Sequence, residues 1–279
     1  MKRILLIICI LSMGSLARAQ TAPSLGAAAT FAVLGSAVTC TAPGVISGDV
    51  GATGAFTNTT GCTIAGGTPP ATNAAAILAQ TALNTAYQNA LVANSSCTSV
   101  LAAAPGANFT EPPGVYCATA GLTFTNITLT LDAGGNANAV WVFKIGAGLT
   151  GTGFQVVMAG GGQPCNVYWL VGTDSTLTTS TFQGNILAGG AASAFTSTGG
   201  TLIGRVLANG AVALTGPNIH GTCALVAQGG GSCPVDDDDK HHHKDRDKDK
   251  DKDKDKDKDR DHDKDKDKDH NKDDNKDHN

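Results

Sequence analysis

The chain has 279 residues, with 20 Lys plus Arg against 24 Asp plus Glu, and a formal net charge of −4. The charges are unevenly distributed, because residues 20–235 contain only Asp49, Glu111, Asp132, Lys144, Asp174 and Arg205. So few basic residues exclude a nucleic-acid interface, which requires a basic patch. The scarcity of acidic and basic residues also argues against an enzyme, because hydrolysis or elimination of a polysaccharide needs paired carboxylates or a base with charge stabilisation.

The first 19 residues have the pattern of a secretory signal peptide. Lys2 and Arg3 precede the apolar run Ile4–Leu11, and Ala17-Arg-Ala19 offers a small-x-small cleavage site. The apolar run is too short to span a bilayer, and no later segment is long and apolar enough to do so. We therefore expect an exported, extracellular protein without a membrane span, whose mature chain begins at Gln20.

A single segment breaks the strand-like pattern of the mature chain. Strand-like alternation occurs at Phe31–Leu34 and Val45–Ile46, and Ser47–Gly51 then predicts a tight turn. Residues 72–92 contain neither Gly nor Pro and are rich in Ala, which predicts one long helix with Thr72 or Asn73 as its cap. Its rough apolar stripe comprises Ile77, Leu78, Leu83, Tyr87, Ala90 and Leu91. A lone helix of this kind is expected to cover an exposed apolar face of the β structure.

A short signature recurs after this helix, at Leu122-Thr123, Leu149-Thr150, Leu177-Thr178, Phe195-Thr196 and Leu214-Thr215. The intervals are 27, 28, 18 and 19 residues, and from Leu149 onward each signature follows an apolar run and a bend. A strand, a bend and a second strand repeated near every 20 residues predict the stacked coils of an irregular β-solenoid.

The alternation of strand side chains predicts which residues of each signature face outward. If Leu or Phe points into the core, one outer face is lined by Thr123, Thr125, Thr150, Thr152, Thr178, Ser180, Thr196 and Thr198. Threonine is also simply a common residue at exposed strand positions, and this second interpretation stays open at the level of sequence.

Seven cysteines follow the predicted cleavage site, and in an exported protein they indicate disulfides. Sequence neighbours predict the pairs Cys40–Cys62, Cys97–Cys117 and Cys223–Cys233, which leaves Cys165 as a buried free thiol. No pair has zinc-ligand spacing, so no metal site is expected.

The segment after residue 235 differs from the rest of the chain. Residues 236–279 contain 20 Asp against 15 Lys plus Arg, largely in alternation, and no apolar residue. Such a segment cannot bury a core and is expected to be a disordered, solvated tail. The predicted organisation is therefore a signal peptide (1–19), one β-solenoid domain (20–235) and a tail (236–279).

Seven segments of the chain form a recognisable series: Leu25–Leu34, Ile46–Gly51, Pro113–Tyr116, Asn138–Phe143, Cys165–Trp169, Gly184–Ala188 and Gly204–Ala208. In this order they resemble the ice-binding-like family of microbial antifreeze proteins. The resemblance covers residues 25–223. It implies a mostly β fold, a right-handed, discontinuous β-solenoid of triangular section, with one long α-helix packed alongside.

The resemblance also implies binding to the surface of an ice crystal through one flat β-face, without a metal or cofactor. Members of the family often carry Thr-(Ala/Gly)-x-(Thr/Asn) steps on that face. Thr198-Gly-Gly-Thr201 and Thr215-Gly-Pro-Asn218 match this pattern, and they add Thr201, Thr215 and Asn218 to the candidate ice-binding residues. We expect a monomeric, secreted antifreeze protein; the alternative from another functional class is a secreted adhesive or structural surface module.

Overall fold

The computed structural model describes residues 20–59, 61–65, 67 and 74–221. These residues form one α-helix, α1 (Ala74–Ala93), two short 3-10 helices (Gly26–Thr30 and Pro164–Asn166) and 23 short strands. Six strands precede α1: β1 (Phe31–Gly35), β2 (Val38–Ala42), β3 (Val45–Ser47), β4 (Asp49–Ala52), β5 (Phe56–Asn58) and β6 (Thr63–Ala65).

The other 17 strands follow α1. They are β7 (Ser99–Val100), β8 (Phe109–Glu111), β9 (Gly114–Ala118), β10 (Leu122–Thr125), β11 (Thr128–Asp132), β12 (Trp141–Ile145), β13 (Leu149–Thr152), β14 (Gln155–Ala159), β15 (Val167–Val171), β16 (Ser175–Thr178), β17 (Thr181–Gln183), β18 (Asn185–Ala188), β19 (Phe195–Thr198), β20 (Thr201–Ile203), β21 (Val206–Ala208), β22 (Val212–Thr215) and β23 (Asn218–His220).

The strands pair in parallel to form three sheets, which we call faces A, B and C. Face A has the order β4-β1-β21-β18-β15-β12-β9-β7, face B the order β10-β13-β16-β19-β22-β2-β5, and face C the order β6-β3-β23-β20-β17-β14-β11-β8. Each full coil thus contributes one strand to each face, as in a β-solenoid with three sides. The predicted β-solenoid with one α-helix alongside is confirmed.

The coils do not stack in the order of the chain. The last coil, β21 to β23, pairs with the first coil, β1 to β3, and the second coil, β4 to β6, lies outside the first. The chain then passes through α1 to β7, at the opposite end of face A, and winds back coil by coil. This order makes the solenoid discontinuous.

Two apolar cores hold the solenoid together. The interior core contains rings stacked between neighbouring coils, including Phe124 on Phe154, with centroids 4.2 Å apart, and Phe143 on Trp169, 3.9 Å apart. The second core lies between face A and α1. Strands of face A such as β1 and β15 are therefore buried on both sides, which explains their continuous apolar sequences.

The helix agrees with the predicted range of residues 72–92, but its buried side differs from the predicted stripe. The buried residues of α1 are Ala76, Ala79, Leu83, Ala86, Tyr87 and Ala90. Ile77 and Leu78 are 53% and 65% exposed, so their assignment to the packed stripe was wrong. Small alanine side chains allow close packing on face A, and the larger residues next to them point away.

The disulfides confirm two of the predicted pairs and correct one assignment. Cys40 is bonded to Cys62 and Cys97 to Cys117. Cys165 is disulfide-bonded rather than free, and its partner is not among the described residues. The predicted Cys223–Cys233 pair, signal peptide and tail lie outside the described residues.

Candidate functional site

The outer side of face B is a regular array of threonine side chains. In β10, β13, β19 and β22 burial alternates strictly, with the first and third residues buried and the second and fourth exposed. The inward side chains, such as Leu122, Leu149 and Phe195, belong to the interior core. This anchoring fixes the outward direction of the residues between them.

The parallel register aligns the outward residues into two rows, which we call the first and second rank. The first rank consists of Thr123, Thr150, Thr176, Thr196, Ala213, Thr39 and Thr57. The second rank consists of Thr125, Thr152, Thr178, Thr198 and Thr215. Neighbours within a rank are one coil apart, about 4.8 Å, and the two ranks are roughly 6.6 Å apart along the strands.

The second rank changes at the junction with the N-terminal coil. The register between β22 and β2 shifts between Cys40 and Ala42, so that Ala42 pairs with Thr215. The hydroxyl of Thr41 lies 2.9 Å from that of Thr215. The array therefore continues onto β2 with a hydroxyl group displaced from the regular row.

Face B carries no ionisable side chain in any of its seven strands. The groups whose pKa is shifted lie elsewhere. Burial raises the pKa of Tyr87, a residue of α1 that packs against face A. Burial, and then the neighbouring Glu111 carboxylate, raise the pKa of Tyr116 in the interior core. The array is therefore chemically uniform, offering methyl and hydroxyl groups without formal charge.

Three of the predicted site residues do not lie on the outer side of face B. Ser180 is 3% exposed, and its hydroxyl accepts a hydrogen bond from the Phe154 N–H at 3.3 Å. Thr201 begins β20 and Asn218 begins β23, which both belong to face C. The Thr-x-x-(Thr/Asn) steps therefore turn the corner from face B to face C. The structure therefore separates these three residues from the outward threonines of face B, with which the sequence interpretation grouped them.

Sequence reasoning also missed four exposed or half-buried threonines of face B: Thr39, Thr41, Thr57 and Thr176. Thr176 pairs with Thr150, and Thr178 pairs with Thr152, so Leu177-Thr178 is displaced by two residues from the signatures before it. The alternation in Val38-Thr-Cys-Thr41 resembles that of the other strands of face B. It could have identified β2 as a further member of the array.

The other two faces offer less regular surfaces. Face A is covered by α1. On face C, Thr128, Gln155, Thr181, Thr201, Asn218, Val45 and Thr63 align in one row. The positions two residues further along include Val157, Ile203 and His220, so the chemistry changes from coil to coil. Among the described residues, no helix is long and apolar enough to cross a membrane.

Comparison with known proteins identifies relatives over most of the chain. The family model described as Ice-binding-like matches residues 33–220. An ice-binding protein of Nostoc sp. (strain HG1) is 36% identical over 228 residues, which span 79% of this chain and 82% of that protein. That relative is an ice-binding protein, in agreement with the expectation that this chain is not an enzyme.

Solved structures of similar fold are also those of ice-binding proteins. The crystal structure of an ice binding protein from an Antarctic biological consortium has a TM-score of 0.61 and 32% identity, covering 72% of this chain and 91% of that one. A glycosylated ice-binding protein from Arctic yeast has a TM-score of 0.64 and 25% identity, with coverages of 76% and 98%.

Proposed function

The chain belongs to the ice-binding-like family, and from this membership we propose that it is a secreted antifreeze protein that adsorbs to ice through the outer side of face B. Its ligand is the surface of an ice crystal. The observation that carries the choice of face is the register of the two ranks over five successive coils, in which nine of the ten residues are threonine and the tenth is Ala213.

A rank of threonines can bind an ordered layer of water molecules because each side chain offers two kinds of contact. The methyl group restricts the orientation of neighbouring water molecules, and the hydroxyl group can donate and accept hydrogen bonds. The branched Cβ limits rotation about χ1, so that neighbouring hydroxyls in a rank can share one direction. A repeated lattice of such groups can hold water in a cage-like order that merges with ice.

The absence of formal charge on face B supports the same function. A buried or surface ion would organise the surrounding water around itself, whereas ice requires each water molecule to hold four neighbours. The strands of face B contain no Asp, Glu, Lys, Arg or His. Their outer surface therefore imposes no competing hydration geometry.

Adsorption then acts on ice growth mechanically. Ice can advance only between bound molecules, and its front becomes curved there. A curved front melts more readily than a flat one, so the freezing temperature falls below the melting temperature. The same attachment retards the transfer of water from small crystals to large ones, which inhibits recrystallisation.

Export agrees with this function because extracellular ice is reached only outside the cell. The sequence pattern of residues 1–19 favours secretion. The two disulfides within the described residues are of a kind that persists in oxidising compartments.

Thermal hysteresis of the mature protein tests the proposal. We expect activity in the parent and a large loss in Thr196→Tyr, because a bulky ring in the first rank holds the rest of face B away from ice. Thr181→Tyr, at a threonine on face C that is also exposed, is the matched control and should retain activity. Loss in Thr181→Tyr alone would place binding on face C, and an inactive parent would favour the adhesive or structural alternative.

A further inference from the structure

The corner between faces B and C is formed by left-handed residues in five successive coils. They are Asn126, Gly153, Thr179, Gly199 and Gly216, with φ of 54°, 58°, 47°, 59° and 72°. The backbone N–H of each of the first four residues donates a hydrogen bond to a carbonyl of the neighbouring coil. The acceptor is always the residue directly before the next corner residue, and these bonds link the turns into a column. The corner therefore imposes one backbone conformation on every coil.

Thr179 is the exception in side-chain chemistry at this corner. Glycine adopts positive φ without penalty, and asparagine tolerates it. A β-branched residue at positive φ is an outlier, because its Cβ substituents approach the backbone closely. Glycine at position 179 would supply the same turn without this strain.

The described contacts do not explain why threonine stands there. Thr179 is exposed, and its backbone N–H donates to the carbonyl of Thr198 at 2.8 Å, a bond that any residue except proline could make. Within the described part of the chain, the Thr179 hydroxyl makes no hydrogen bond. Strain that the fold does not require is more often associated with a binding surface than with stability.

The position of Thr179 indicates which surface it serves. It directly follows Thr178 of the second rank, and it belongs to the coil of β16, the third of the five coils whose second rank is threonine. We propose that Thr179 is a further ice-contacting residue, which extends the array of face B around its edge at the middle of the solenoid. This inference rests on the proposed function.

Two reciprocal substitutions separate binding from stability at this corner. Thr179→Gly removes the side chain and the strain, so we expect the unfolding temperature to rise by about 2–4 °C while thermal hysteresis falls. Gly199→Thr adds the same side chain in the next coil, where the nearest atom to a new Cβ is Thr179 Cγ2 at 3.8 Å. This second variant should unfold at a lower temperature and have higher hysteresis.

Hysteresis is measured near 0 °C, where the protein stays folded despite a small change in its unfolding temperature. A change in hysteresis that is opposite in sign to the change in unfolding temperature therefore reports on binding to ice and not on folding. Thr179→Gly with unchanged hysteresis would overturn the proposal, as would hysteresis that rises or falls together with stability in both variants. Thr196→Tyr serves as the reference: if it abolishes activity and Thr179→Gly does not, face B remains the binding face and only the corner is excluded. An inactive parent would overturn the proposed function itself.

Discussion

The hydroxyl groups of Thr41 and Thr215 lie 2.9 Å apart, although 174 residues separate them in the chain. Thr41 belongs to the first coil and Thr215 to the last, so this contact lies where the N-terminal coils dock on the end of the winding. Face B consequently extends as one sheet of seven strands, from β10 to β5. The size of the proposed binding surface depends on this docking.

The first rank contains one gap, at Ala213, which lies between Thr196 and Thr39. We expect Ala213→Thr to increase thermal hysteresis, because it completes a row of seven threonines. The residue is exposed, so the free energy of unfolding should change by no more than about 0.5 kcal/mol.

Ala65→Thr, at an exposed position of face C, controls for the mere addition of a threonine. Dose–response curves of hysteresis for both variants and the parent provide the comparison. Equal gains in both variants, or no gain in Ala213→Thr, would contradict the importance of an unbroken rank.

Two leucines of α1 should respond very differently to truncation. Leu83 is 0% exposed and packs in the core between α1 and face A, whereas Leu78 is 65% exposed. Leu83→Ala should lower the free energy of unfolding by about 2–5 kcal/mol, and Leu78→Ala by at most about 0.5 kcal/mol. Urea denaturation measures both. Similar losses would show that the helix docks through another side.

Ser175 places a hydroxyl in the interior beneath face B at 1% exposure, and its Oγ has no hydrogen-bond partner among the described residues. Ser175→Ala should therefore leave stability unchanged or raise it by about 1 kcal/mol. Ser180→Ala is the matched control, because the Ser180 hydroxyl lies 3.1 Å from the Thr178 carbonyl and also accepts from Phe154 N–H. That control should lose about 1–2 kcal/mol. Equal losses in thermal unfolding would indicate an unseen partner for Ser175.

The stability of the fold should depend on pH on the alkaline side. Burial raises the pKa of Tyr87 above its ordinary value in the folded state, so the folded protein binds more protons than the unfolded chain at high pH. The free energy of unfolding is then unaffected by this group below about pH 10 and falls as pH rises further. Urea denaturation at about pH 8 and about pH 11 measures the fall, which should be smaller in Tyr87→Phe.

Activity should be independent of pH in the range where the stability of the fold does not change, because no strand of face B contains an ionisable side chain. Hysteresis is expected to stay level between about pH 6 and pH 9. A steep change within that range would indicate that a titratable group contributes to binding.

Sequence patterns predicted the strands, the helix and two disulfides because these depend on local alternation and composition. Alternation assigns each side chain to the inner or outer side, but it does not fix which residues of neighbouring coils pair. Leu177-Thr178 therefore looked equivalent to Leu149-Thr150, although Thr178 pairs with Thr152. The threonine steps at the corner were likewise mistaken for steps along one face.

The order in which the coils stack could not be predicted from local sequence patterns. The pairing of β1 to β3 with the last coil joins segments from opposite ends of the winding, and no short-range signal encodes it. The same non-local packing brings Thr39 and Thr57 into the first rank; local alternation could show that Thr39 points outward, but not that it lies beside Ala213.

The most direct measurement of the central claim is incorporation into a growing ice hemisphere. The parent and Thr196→Tyr, labelled with two different fluorophores, would be mixed in equal amounts, and Thr181→Tyr would replace the parent in a parallel run. If face B is the binding surface, ice should take up the parent and Thr181→Tyr and exclude Thr196→Tyr. Equal uptake of Thr196→Tyr and the parent would contradict it.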